Sequence, residues 1–365
     1  MVNTSLIKMK QNINIIIAGG CGFIGSSLAN FFLSKYQNSK IYVLDNLMRI
    51  GSEVNLKRLR NDRLVFMKSD LSNKTSFNNL PICDVFIDAA ADPSVLSGID
   101  SSVLKLINNN FITTINAVEW CAKIKCKFLF LSSSRVYPIR MLDKISYTES
   151  PTRFEWLKKQ NIEGLSDEGI NESFTMNGYR SLYGSSKYSS ELFIHEYGKY
   201  KNLEYIINRC SMVAGPWQMG KIDQGVVTYW LASHIFKREL RYIGYSGNGK
   251  QVRDILHIND LCNLIDLQIN NWSKVGFQVF NIGGGKRNSL SLMELTKLVN
   301  QITGIHLPIS KEKNKRNGDI RIFITDCKKV KNILGWTPSL NTKAIVNDTF
   351  RWIIDNKKVL ESILK

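Results

Sequence analysis

The sequence predicts an α/β protein: a doubly wound parallel sheet with a smaller, mixed α/β domain towards the C-terminal end. Two observations carry this. In the first third of the chain, short apolar runs alternate with stretches whose apolar residues fall at helical spacing. The first of these runs leads straight into closely spaced glycines, with an amphipathic stretch behind them.

The elements follow in order. Ile13–Ala18, Ile41–Leu44, Leu64–Met67, Val85–Ile87 and Phe128–Leu131 are expected as buried strands. Between them, Leu28, Phe31, Phe32 and Tyr36 mark one helix within Ser26–Tyr36. Leu104, Ile107, Phe111, Ile115 and Val118 mark another across Ser101–Lys123. This alternation implies a parallel sheet covered on both faces, with right-handed crossovers. Residues 138–178 are polar and irregular, and are expected to be an insertion or lid. Tyr183–Tyr200 is a long amphipathic helix and Tyr205–Ile207 a strand. Beyond Gly215 the pattern is mixed, with Gly-rich turns at 245–249 and 283–285 and a helix from Leu292 to about Ile302. Ser291 and Glu294 form a capping box at its start. The expected division is 1–209 for the nucleotide-binding domain, with 250–270 returning to it, and 210–249 plus 271–365 mainly for a substrate domain.

Bulk properties exclude several classes. The 365 residues are 44% hydrophobic and 22% charged, enough for a sizeable core. The net charge of +18 comes from scattered lysines with no run of five basic residues. That pattern describes a solvated surface, and no nucleic-acid partner is expected. Seven cysteines, an odd number with no C-x-x-C pair, argue against a disulfide framework or a zinc site. The four histidines show no ligand spacing, so no metal is expected. No segment approaches the roughly 18–20 apolar residues of a membrane span. The first apolar run is too short for a signal-peptide core, and a cytoplasmic location is expected.

In Ile15-Ile-Ile-Ala-Gly19-Gly-Cys-Gly22-Phe-Ile-Gly25 the glycines fall at G-x-x-G-x-x-G spacing. Gly19 permits a tight turn, Gly22 a close approach of backbone to a pyrophosphate, and Gly25 close helix–sheet packing. The anion would then sit on N–H groups at the positive helix end. Asp45 ends the second strand, where a carboxylate would accept from the adenosine ribose hydroxyls; a capping Asp in a turn is the alternative. A carboxylate there favours NAD over NADP, although Arg49 close by could serve a 2′-phosphate. Asp70, ending the third strand, is either an adenine contact or a cap.

Tyr183-Gly-Ser-Ser-Lys187 places a phenol and an ammonium one helical turn apart. A cation there would favour the phenolate and fit Tyr183 to act as a general base. By itself the pair is common on exposed helices; its weight comes from following a dinucleotide fingerprint. Lys127-Phe-Leu-Phe-Leu-Ser132-Ser133-Ser134-Arg135-Val-Tyr137 is a strand ending in hydroxyls, at the end of the sheet where such folds bind ligands. A Ser-rich turn is the alternative.

Taken in order, Gly19–Gly25, Asp45, Ile87-Asp-Ala-Ala-Ala-Asp-Pro-Ser-Val95, Ser132–Tyr137 and Tyr183–Lys187 resemble the motifs of the extended short-chain dehydrogenase/reductases, over nearly the whole chain. The resemblance implies a Rossmann-type domain, bound NAD, and Ser133, Tyr183 and Lys187 as the catalytic set. It implies cofactor contacts from Gly19, Gly22, Phe23, Ile24, Gly25, Asp45, Asn46, Asp70, Leu71, Ala90 and Asn110, as well as Tyr183 and Lys187. Gly247–His257 and Arg316-Asn-Gly-Asp319 resemble the segments that hold a nucleotide diphosphate, which makes Arg253, Arg316 and Asp319 substrate contacts. Leu44–Leu56, Gln218-Met-Gly-Lys-Ile-Asp223-Gln-Gly225 and Gly249–Asp254 are similar to the subgroup that epimerises CDP-linked sugars. Ser134, Arg135, Gln218 and Gln224 join the expected substrate contacts.

Within the family, dehydratases carry Asp-Glu directly after the catalytic hydroxyl, and decarboxylases tend to carry Glu where Arg135 stands. Here the places hold Ser134 and Arg135, which favours epimerisation through a keto sugar over loss of water or carbon dioxide. A net dehydrogenase or reductase on the same scaffold is the nearest alternative, and a non-catalytic NAD- or nucleic-acid-binding protein the alternative from another class. Asp88 stands where the family often has His. The resemblance further implies a homodimer through the Ser101–Lys123 and Tyr183–Tyr200 helices, and polysaccharide biosynthesis as the setting.

Overall fold

The computed structural model describes residues 12–99, 101–314 and 318–364. Its central sheet has seven parallel strands: β1 Ile15–Ala18, β2 Ile41–Asp45, β3 Leu64–Lys68, β4 Val85–Asp88, β5 Lys127–Ser133, β6 Tyr205–Cys210 and β7 Gln278–Ile282. Their spatial order is 3-2-1-4-5-6-7, so the chain reverses direction between β1 and β4. That switch point leaves a crevice at the carboxyl ends of the strands.

Side chains alternate strictly across this sheet. Ile15, Ile17, Val85, Ile87, Leu129 and Leu131 point into one core, which is closed by helices α1 Phe23–Lys35 and Ile258–Asn270. Ile16, Ala18, Phe86, Phe128 and Phe130 point into the other, closed by α2 Thr113–Ile124 and α3 Leu182–Lys201. Burial on both faces explains why these strands read as continuous apolar runs.

Three expectations change. The single helix expected over Ser101–Lys123 is broken. Val103–Ile107 passes through a π-helical turn, Asn108–Ile112, before α2 begins. Such turns recur at functional sites. Residues 278–282, expected in the smaller domain, form the edge strand β7 beside β6. Residues 138–178 are not irregular. They hold a short helix, Ile139–Asp143, and two hairpins, Tyr147–Glu149 with Phe154–Trp156 and Leu165–Ser166 with Gly169–Ile170. None of them lines the main cavity. They pack instead around Ile320 and Phe323, and Ile170 exchanges backbone hydrogen bonds with Ile324 and Asp326. The insertion is a buttress for the 319–326 segment; its polar surface is simply its solvent side.

The smaller domain has its own core, including Val227, Trp230, Leu231, Leu295, Val299, Ile345 and Trp352. Its sheet joins Met212–Ala214, Val252–His257 and Ser289–Ser291. The helix Leu292–Thr303 opens with the Ser291–Glu294 capping box in both directions.

One polar contact pins α3 to the central sheet. Glu191 is fully buried and accepts from Arg209 on β6 at 2.7 and 3.0 Å. Ser132 on β5 donates to the same carboxylate. Arg209 also donates to the Tyr137 hydroxyl at 3.1 Å, which in turn donates to Asn281 on β7 at 2.7 Å. Removing one member of a buried ion pair strands the other charge. Glu191→Ala is therefore expected to lower the free energy of unfolding by about 3–5 kcal/mol, read from the shift of the urea denaturation midpoint.

Candidate active site

β1 ends at Ala18, and the chain turns through Gly19, whose φ of +67° favours glycine. A Cβ on Gly19 would stand 2.8 Å from the backbone of Ala89 and Ala90, which follow β4 across the switch point. A Cβ on Gly25 would stand 2.2 Å from Gly19 O. These two glycines are demanded by the fold itself. Gly22 is different. Its φ is −71°, and a Cβ would meet only Gly19 O, at 3.1 Å. What its bare Cα leaves open is the cavity over the start of α1, where no side chain caps the helix. The first N–H groups of a helix lack intrahelical partners, and this end therefore accepts an anion such as a pyrophosphate.

Asp45 closes β2 beside this turn. Its carboxylate accepts from Cys21 N–H at 2.9 Å and Leu47 N–H at 2.8 Å, which fixes it at the cavity wall. Burial pushes it above the ordinary carboxylate range; those two N–H groups and Arg49 pull it back. Asp70 accepts from the N–H and hydroxyl of Ser72 and so caps a turn, while still lining the cavity with Leu71.

Arg49 does not serve the position beside Asp45 alone. It donates to Gln224 in the smaller domain, and its charge faces Asp92, Asp223 and Tyr183 as well as Asp45. Ser94 donates to Asp223 across the same gap. Three loops thus meet above the cavity. The sequence offered Arg49 only as a possible 2′-phosphate contact and gave Asp92 and Asp223 no role of their own, since their meeting depends on loops up to 175 positions apart.

Ser133 ends β5, and it lines the cavity together with Tyr183, near the start of α3, whose phenol its hydroxyl influences. Burial raises the phenol above its ordinary value, and Ser133 and Arg135 draw it down. Arg135 and Arg49 are cations that act on Tyr183, and Lys187 follows one helical turn along α3. Lys187 lies behind the cavity wall, 1% exposed, with Nζ 4.0 Å from the centre of the Phe130 ring. Asn110, in the π-helical turn, is also fully buried behind the wall. Its amide accepts from Asp92 N–H at 2.6 Å and donates to Ser186 at 3.1 Å, joining the β4 loop to α3.

The far end of the cavity is cationic. Arg135 donates to Gly318 O at 2.8 Å. Burial, with Arg253 nearby, pushes its guanidinium down to about 10, against the pull of Asp319. Arg253 pairs with Asp319 at 3.0 Å. Arg316 lies outside the described residues. Gln218 lines the cavity, but its amide is engaged by Val213 O and the Thr228 hydroxyl, so it shapes its loop. Phe23, Ile24, Asn46, Ala90, Ser134 and Gln224 all line the same cavity, of about 1300 Å³. Its size and its two polar ends suit two nucleotide-sized molecules lying end to end.

Comparison with known proteins agrees. Residues 15–283 match the model of the NAD dependent epimerase/dehydratase family. CDP-paratose 2-epimerase of Salmonella typhi is 32% identical over 351 residues, covering 93% of this chain and 98% of that protein. UDP-glucuronate 4-epimerase of Thermodesulfobacterium geofontis is 24% identical over 364 residues, covering 95% and 98%. The structure of UDP-glucuronic acid 4-epimerase from Bacillus cereus, in complex with UDP-glucuronic acid and NAD, superposes with a TM-score of 0.77 at 22% identity, covering 94% and 99%. With the fold, the glycine turn and the Ser133–Tyr183 pair in place, the chain belongs to the NAD dependent epimerase/dehydratase family of enzymes.

Proposed function

We propose that this protein is a nucleotide-sugar epimerase that inverts C2 of a CDP-linked sugar. The observation that carries the reading is the position of Tyr183. Arg49 faces both Tyr183 and Asp45, and Arg135 faces both Tyr183 and Arg253. Tyr183 lines one cavity with Gly19 and Asp45 and with Arg135 and Arg253, so in this reading the phenol stands between a dinucleotide end and a diphosphate end. Directly after Ser133, where eliminating relatives carry acids, stand Ser134 and Arg135. Identity to the Salmonella typhi epimerase along nearly the full length of both chains supports the CDP-sugar and the C2 centre.

Gly19, Gly22, Gly25 and Asp45 would hold NAD, with Lys187 supporting its nicotinamide end. When bound, NAD supplies a reversible hydride acceptor. The residues of the chain do the rest. Arg135 and Arg253 hold the diphosphate, with Asp319 orienting Arg253, and fix the sugar's reach. Tyr183 takes the proton of the ring hydroxyl that becomes a carbonyl, and Ser133 donates to that oxygen. When the carbonyl is reduced on its other face, Tyr183 returns the proton. One centre is inverted, and nothing is gained or lost.

We also propose a homodimer and a cytoplasmic location. Leu104, Leu192 and Phe193 leave apolar surface on the outer sides of the helices named above, with Leu104 71% exposed. Among the described residues all seven cysteines are free thiols, which suits a reducing compartment.

Purified enzyme incubated with CDP-, UDP-, GDP- and dTDP-sugars in deuterated water is expected to yield, from a CDP-sugar, a product of unchanged mass with one inverted centre by NMR. Loss of water or carbon dioxide, or accumulation of NADH, would refute the reading. Tyr183→Phe should lower kcat by about 10²–10⁴-fold while NAD binding, followed by calorimetry, is kept. Arg135 favours the phenolate, so Arg135→Gln should raise the Tyr183 pKa; the acidic limb of kcat/KM, where activity falls as Tyr183 takes up its proton, should move to higher pH.

A further inference from the structure

Asp88, the last residue of β4, is completely buried. It pairs in register with Phe130 on β5, and Phe86 and Phe130 belong to the core beneath α2 and α3. Its side chain therefore lies on that side of the sheet. Thr114 on α2 donates to Oδ2 at 2.8 Å, and Ala90 N–H donates to Oδ1 at 3.1 Å. Both donors are neutral. A carboxylate removed from water in this way keeps its charge only with a cation close by.

Lys187 is a buried cation on the same side of the sheet. Its ammonium lies over the ring of Phe130, the strand partner of Asp88. On balance burial pushes Asp88 up and Lys187 down, and each draws the other part of the way back towards its charged form. Two other groups face Lys187. Glu191, on its own helix, is already bound by Arg209 and Ser132. Cys210, on β6, is pushed up to about 12 by burial and stays a neutral thiol. Cys121 on α2, which faces Asp88, is raised as well.

We propose that Asp88 is the buried counter-ion of Lys187: a positioning residue that holds the ammonium charged and in place, one helical turn from Tyr183. Its importance for turnover rests on the epimerase reading; the pair itself does not, and can be tested without substrate.

Asp88→Asn removes the charge while keeping the size of the side chain, an acceptor for Ala90 N–H and an NH2 that can donate to Thr114, whose hydroxyl also reaches Asn110 O. Lys187 left alone has a folded pKa below its unfolded value near ~10.4. Its cost is then fully present at low pH and is relieved as pH rises through the folded value. Thermal unfolding of the full chain without NAD, from pH 6 to 10, is the test. D88N is expected to melt on the order of 5 °C below wild type at pH 7, with the gap narrowing towards pH 10. D88N/K187M should melt above D88N at pH 7 and show no narrowing. A constant gap, or a double variant no more stable than D88N, overturns the proposal. Should D88N not fold, a folded D88N/K187M supports it and an unfolded one overturns it. Calorimetric NAD affinity of D88N at pH 7.5 should be about tenfold weaker, as for one unit of pKa; unchanged affinity overturns the positioning role.

Discussion

The buried ion pair between Glu191 and Arg209 is the constraint on which the rest of the site depends. Tyr183, Lys187 and Glu191 recur every fourth residue along α3 and so share one face. All three are ionisable groups inside the protein, and Lys187 and Glu191 bring charges there that are costly unless each is met. Glu191 meets its cation in Arg209 on β6, and Ser132 on β5 adds a donor. These contacts admit one rotation and one axial position of α3 against the sheet. In that position Tyr183 lines the cavity with Ser133, the residue after Ser132. The alignment of base and hydroxyl is thus set by a contact two helical turns away from the chemistry.

The site is otherwise assembled where the sheet changes direction. Gly19 touches Ala89 and Ala90 so closely that β1 and β4 open a crevice with no side chain between them. The glycine turn occupies one end of that crevice, and the segment buttressed by residues 138–178 carries Asp319 to the other. The loops of Arg49, Ser94 and Gln224 meet between the two domains. A cavity so framed presents a helix N-terminus to one anion and two guanidinium groups to another, and places the proton-transfer pair where the two would meet.

Much of this was legible in the residues, and the parts that were not share a cause. The glycine spacing, the carboxylate at the end of β2 and the phenol–ammonium pair are local patterns, because each depends on residues within one turn or one strand–turn–helix unit. The break at Asn108–Ile112 was hidden, since a π-helical turn adds one residue without disturbing the apolar spacing on either side. The edge strand β7 was hidden because membership of a sheet depends on its partner, here β6 some 70 positions earlier, rather than on its own five residues. Asp88 was recognisable only as a departure from the usual residue, until Lys187 was seen on the same side of the sheet.

By itself, then, the sequence determined the class of fold and the place of the dinucleotide turn, and it singled out the residues proposed for proton transfer, because backbone preference and hydrophobic period act over short stretches. Tertiary structure alone decided where the charges go. It turned Arg49 from the neighbour of Asp45 into a bridge to the other domain. It also turned Arg49 and Arg135 towards Tyr183, and buried Lys187 on the same side of the sheet as Asp88. Electrostatic partners are chosen by distance and desolvation in space, and neither quantity is written in the order of the residues.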